Sequence, residues 1–265
     1  MKAIVLRELK ANQKSLLIWM AGMLFMVAIG AAEYGTVVGN AESIMPMMDM
    51  LPRIVRVIFG MDIIPINTPL GYYVCMYLWY CIVAFAHAVV LGATIIAKEE
   101  KNRTAEFIYT MPYSRNTIIT SKIFAAVLNV VAMTILTFIC ILLTLVTQMS
   151  GESILPAIGI TMLGMFLAQL LCLAVGLLLS AVFNYHRTAL SAAVAFVLFT
   201  YVLAVVIEFM GNMEFLNVLT PFRYFFAPNV VESGINPIYL LLCLIIVGAS
   251  GFFTYKLYGR RDIHY

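Results

Sequence analysis

Residues Lys98 to Lys122 read KEEKNRTAEFIYTMPYSRNTIITSK, a charged island of 25 residues between two of the longest apolar runs in the chain. Five Lys or Arg (Lys98, Lys101, Arg103, Arg115, Lys122) and three Glu (Glu99, Glu100, Glu106) fall here, in a chain where only 11% of residues are charged. Such a concentration marks a loop held on one side of a membrane. Its internal grammar is helix, stop, helix. Glu99 and Glu100 favour a helix start, where the dipole attracts negative charge, and Thr104 to Tyr109 contains no breaker, so a short amphipathic helix is expected. Pro112 ends it, and Ser114 is placed to cap the next helix by accepting a bond from a first-turn N–H.

Outside this island the chain is apolar. Hydrophobic residues make up 63% of it and the mean hydropathy is +1.00, against about 45–50% apolar content in soluble domains. An all-α integral membrane fold follows. A helix needs about 20 apolar residues to cross the hydrocarbon core, and six runs qualify. They cover roughly Leu16–Gly39, Leu70–Ala97, Ile118–Gln148, Ile154–Phe183, Thr188–Phe209 and Pro237–Leu257. The six-span domain thus occupies 16–257, with 1–15 before it and a tail, 258–265, after it. No segment between spans is long enough for a soluble catalytic or nucleotide-binding domain. The five cysteines all fall inside apolar runs, where a thiol behaves as a small hydrophobe, and no disulfide framework or CxxC pair is present. Nothing in the charge pattern supports nucleic-acid binding.

The connecting segments have their own patterns. Met1, Val5, Leu6 and Leu9 form one stripe with Lys2, Arg7, Lys10 and Lys14 elsewhere, the pattern of a helix lying in the membrane interface and feeding a retained first span. Between Asn40 and Pro69, Ile44, Met47, Met48, Leu51, Ile54, Val55 and Ile58 recur at helical steps, predicting one amphipathic helix at the outer surface. Tyr72, Tyr73, Tyr77, Trp79 and Tyr80 open the second span as an aromatic belt at headgroup level. Turns at Ser150–Glu152 and Asn184–Arg187 leave room only for antiparallel neighbours. The aromatic, Pro-broken segment Met210–Asn236 predicts a re-entrant or surface-hugging pair of short helices.

Orientation follows from Lys and Arg. With a cytoplasmic N-terminus the inner segments hold 13 and the outer ones only Arg53, Arg56 and Arg223. This split places both termini and the Lys98–Lys122 island in the cytoplasm, with the protein multi-pass in a bacterial-type plasma membrane.

These residues resemble a family, the permease subunits of type 2 ATP-binding cassette (ABC) exporters of the bacterial six-span group. The N-terminal helix, the short loop between spans four and five (Tyr185, His186, Arg187) and the T-P-F-x-Y-F element at Thr220–Phe225 are similar to theirs. So is the cytoplasmic motif, carried here by Glu99, Glu100, Thr104, Glu106, Pro112, Ser114, Arg115 and Lys122. Arg103 stands where the family usually has Gly, and Ile108 among its usual leucines. The resemblance implies that this loop is a coupling helix docking into an ABC ATPase subunit, present in two copies, and that a second permease copy or paralogue completes the pathway. ATP and Mg would sit on that partner. The chain itself has no Gly-Lys dipeptide, hence no G-x-x-x-x-G-K-[ST] phosphate loop, and no cofactor or catalytic role is expected of it.

Glu99-Glu100 followed by Arg103 is one residue short of the E-E-x-x-x-R motif of intramembrane CAAX-type proteases, and His87, His186 and His264 are too dispersed to build such a site. Met45, Met47, Met48, Met50 and Met61 cluster on the outer side and offer soft ligands for Cu(I), although flexible Met also makes adaptable apolar surfaces. A membrane sensor sharing the fold is the remaining alternative. Polar residues within spans mark pathways, and His87, Asn129 and Gln169 are the candidates, with Glu33 and Glu208 at span ends. Gly159, Gly164 and Gly176 in the fourth span and Gly248 and Gly251 in the sixth are expected to let helices pack closely or flex, more so than the Gly35/Gly39 pair.

Overall fold

Long apolar runs in a solvent without water must satisfy their backbone internally, and helices do so within one segment. The computed structural model describes residues 1–62, 64–96, 114–147, 154–183 and 185–259. Six of its helices are long and apolar enough to cross a membrane: Lys2–Gly39, Pro69–Ile95, Arg115–Thr144, Leu155–Val182, His186–Met210 and Pro237–Tyr258, here spans one to six. No strand occurs among the described residues. The proposed cytoplasmic helix from Glu99 to Thr110 and the Ser150–Glu152 turn lie outside them.

Spans two and four form the buried centre and make the most extensive helix pair. Two glycines bring them together. A Cβ on Gly92 would stand 2.4 Å from the Leu173 carbonyl oxygen, and one on Gly176 2.3 Å from that of Val89. The two helices therefore touch backbone to backbone, which no larger residue permits. Gly164 matters similarly, lying under the ring of Phe225. Gly159, Gly248, Gly251, Gly35 and Gly39 meet nothing within 4 Å. The expectation that the first three of these mediate close packing is thus corrected: within this chain they face outward.

The tyrosines at the start of span two also differ from expectation. Tyr72, Tyr73, Tyr77 and Tyr80 are all buried. Tyr72 donates to the Gly30 carbonyl of span one at 2.6 Å, and Tyr77 to the Thr161 carbonyl of span four at 2.8 Å. Tyr73 and Thr161 hydroxyls lie 2.6 Å apart. Because the Thr161 proton already serves the Ala157 carbonyl at 2.7 Å, Tyr73 is the donor. What reads as a headgroup belt is an interhelical bonding set, because three neighbouring helices converge on this face.

The N-terminal segment is not a separate interfacial helix. One unbroken helix of 38 residues runs from Lys2 to Gly39, about 57 Å at 1.5 Å per residue. Its first turns bury Ile4, Val5, Glu8 and Asn12, leaving Met1 and Leu6 exposed. The buried face is thus rotated from the expected apolar stripe, and it carries an acid and an amide.

Between spans one and two the expected single helix is two, Ala41–Asp49 and Arg53–Phe59. Pro52, extended at φ −53 and ψ 140, separates them, and Gly60 ends the second with a left-handed φ of 74. The second packs on span five, and Met47, Met50, Leu51 and Ile54 remain exposed. Before span six, the Pro-broken segment forms three short helices rather than two: a 3-10 turn Glu214–Leu219, then Pro221–Tyr224 and Ala227–Ser233. Their aromatic residues turn back into the bundle. Phe222 sits between Phe85 of span two (4.8 Å between ring centres) and Tyr201 of span five (5.7 Å), and Tyr224 stacks on Tyr239 of span six. Thr220 donates to the Thr200 carbonyl at 2.8 Å.

The glycine crossing yields a direct test. Gly176→Ala should lower stability by about 3 kcal/mol, since the clashing atom is backbone and cannot swing away. Gly248→Ala, where there is open space, should be neutral or stabilising by up to about 1 kcal/mol through helix propensity. Thermal unfolding of the detergent-solubilised variants checks both, and equal midpoints would contradict the crossing.

Candidate functional site

The helix ends that bracket the charged island are joined by one side chain. Lys122 lies two turns into span three and is only 1% exposed. Its Nζ donates to the Ile95 carbonyl at the end of span two (2.8 Å) and lies 3.5 Å from Oε1 of Glu8 on span one. A cation at a helix C-terminus is favoured by the dipole and by the unpaired carbonyls there. Glu8 is 2% exposed, so both charges are withdrawn from solvent and each needs the other. Three helices meet in this clamp. Nearby, the Thr120 and Tyr255 hydroxyls lie 2.8 Å apart and link span three to span six. Residues near both ends of the chain therefore gather at the end of the bundle from which the island emerges.

The site residues read from the motif separate accordingly. Ser114 caps span three as expected, its hydroxyl accepting from the Thr117 N–H at 3.2 Å. Arg115 opens that helix and is exposed. Lys122 is interior, a tie between helices rather than a surface contact. Glu99, Glu100, Thr104, Glu106 and Pro112 lie outside the described residues. In the second loop, Tyr185 is exposed, and His186 and Arg187 already belong to the helix of span five, so the turn is shorter than the expected Asn184–Arg187. Glu8 escaped the sequence reading. Its signal is that it shares a helical face with Ile4 and Asn12 at steps of four, the lone acid in a basic segment.

The three pathway candidates are all buried, but no described contact joins them. His87 packs edge-on against Trp19 of span one, 5.8 Å between ring centres. The Asn129 amide donates to the Ala125 carbonyl of its own helix at 2.7 Å. Gln169 of span four lies 2.8 Å from the Thr134 hydroxyl of span three. These are intrahelical and interhelical bonds of the kind that hold membrane helices together. Among the described residues no group of three His, Cys, Asp or Glu could hold a metal ion.

At the opposite end, the three arginines of the low-charge side are all engaged. Arg53 pairs with Asp62 at 3.0 Å, and Arg56 with Asp62 at 3.3 Å and Asp49 at 3.5 Å. Arg53 also reaches the Glu208 carbonyl of span five at 3.5 Å. Arg223 bonds the Glu208 carboxylate and the Asn217 side chain, its guanidinium 4.3 Å from the Phe226 ring centre. With Tyr201 donating to the Ile58 carbonyl at 2.8 Å, this network fastens the 41–59 helices and the 214–233 segment to span five.

The described residues thus form six helices of membrane-spanning length held by buried interhelical polar contacts, with one three-helix clamp at the helix ends that flank the charged island. Residues 8–256 match the family described as multidrug efflux system permease Rv1217c, C-terminal domain, and the chain belongs to that family. No curated protein matches the chain.

The opposite-end network predicts unequal losses. The Arg223 side chain is 12% exposed against 52% for Arg53. Arg223→Ala should cost about 2 kcal/mol, as for a charged hydrogen bond left unmade, and Arg53→Ala less than about 1 kcal/mol. Melting at low and high salt should show the Arg53 effect shrinking while that of Arg223 persists.

Proposed function

We propose that the chain is the transmembrane permease subunit of an ATP-driven ABC exporter. It pairs with a second copy or a paralogue to form the pathway, and is coupled to two separate ATPase subunits that carry ATP and Mg. The island from Lys98 to Lys122 and both termini face the cytoplasm of a bacterial-type plasma membrane. Membership of an efflux permease family supports the transport role. The observation that carries the coupling role is the clamp. Because Lys122 bonds the end of span two and pairs with Glu8 of span one, a displacement of the island moves three spans together. Span two is in turn seated on span four at the glycine crossing, so the motion reaches the centre of the bundle.

In this mechanism closure of the ATPases pushes the Glu99–Thr110 segment, tilts spans two and three, and changes access to a pathway between the two permease subunits. Among the described residues no charged side chain lies in the middle of a span, which favours an amphipathic or apolar substrate over an ion moved through carboxylates. The permease moves its substrate without covalent chemistry of its own.

Co-purification of the tagged protein from its native membrane tests this reading. An ATPase subunit should accompany the parent chain and be depleted by several-fold with Glu106→Lys. Its absence from both preparations would shift the weight to a sensor or a stand-alone membrane protein.

A further inference from the structure

We infer that Glu8 is a positioning residue for the coupling loop, holding through Lys122 the two helix ends, at Ile95 and Ser114, from which that loop is suspended. The inference rests on the coupling role proposed above and adds the first helix to it as a third arm.

Three observations lead there. First, both charges are almost wholly withdrawn from solvent, at 2% and 1% exposure. Buried ion pairs are seldom a net gain in stability over apolar residues of similar volume, so stability alone does not account for this one. The pair is also imperfect for that purpose: Oε1 of Glu8 is 3.5 Å from the ammonium, and Oε2 has no hydrogen-bond partner among the described residues. Second, the partner of Lys122 on span two is a main-chain carbonyl, that of Ile95, in the last turn before the loop. The ammonium therefore reads the position of the span-two backbone itself, not of a side chain that could swing. Third, spans one and three are packed along an extensive interface, so Glu8 is held by a rigid helix and can set where Lys122 lies. Geometry of this kind fixes register, the best-attested use of a buried charged group.

Two variants test the inference. Glu8→Gln keeps size and removes the charge. In the isolated permease in lipid nanodiscs, amide exchange at Thr117–Ser121 and over the last turn of span two should then rise about tenfold relative to the parent. Glu8→Met with Lys122→Met replaces the pair by apolar side chains, which should return the melting midpoint to within a few degrees of the parent. This double variant should still co-purify with its ATPase, yet transport several-fold less substrate per ATP hydrolysed. Unchanged exchange in Glu8→Gln, or parental transport efficiency in the stable double variant, would overturn the role of Glu8. Failure of the parent chain to bring down any ATPase would instead remove the coupling reading, while the exchange measurement still decides whether Glu8 holds the helix ends.

Discussion

The close contact of spans two and four at Gly92 and Gly176 is the constraint on which the rest of the bundle depends. In lipid the hydrophobic effect does not draw one apolar helix to another, so association relies on packing and interhelical bonds. Two glycines facing each other let carbonyl and Cα atoms of the two backbones meet directly. Once that axis is set, span six and the short helices of 214–233 pack on span four, spans five and one pack on span two, and span three packs on spans one and four. Gly159 of span four faces open space, so glycine content alone does not mark the crossing.

Around this axis, polar side chains are used as fasteners. Tyr72, Tyr73 and Tyr77 tie span two to spans one and four through hydroxyl bonds, each worth about 0.6 kcal/mol in membrane proteins. Their energy is modest, but their geometry is specific, because an unmade bond in hydrocarbon has no water to replace it. Gln169 with Thr134 and Thr220 with the Thr200 carbonyl serve similarly. The polar residues that the sequence marks as a pathway are thus, within one chain, largely structural.

Charge is treated differently at the two ends. At the low-charge end, Arg53, Arg56 and Arg223 are all absorbed into one network that pins the short helices to span five. At the island end the described Lys2, Arg7, Lys10, Lys14, Arg115, Arg187 and Lys256 are exposed, and Lys122 is the exception among them, drawn inside with Glu8. A count of cations bears on the sidedness of the membrane, where only their number matters. It cannot read Lys122, whose role arises from a residue 114 positions earlier in the chain.

The division between sequence and structure follows from this. Hydropathy and local chemistry by themselves determined the all-helical class, the six spans to within a few residues at their ends except at the start of the first, and the Ser114 cap, since each depends on the composition or local chemistry of one contiguous segment. The motif in the charged island pointed to the permease class, and the family match over residues 8–256 agrees with a transport permease. Only the tertiary structure decided which glycines touch, that the tyrosines face inward, that the first helix is continuous, that the 41–59 stretch breaks at Pro52, and that Glu8 meets Lys122. Each of these depends on which face of one helix meets which face of another. A chain that is apolar all round carries little pattern to say which face turns inward, so that choice is made by packing.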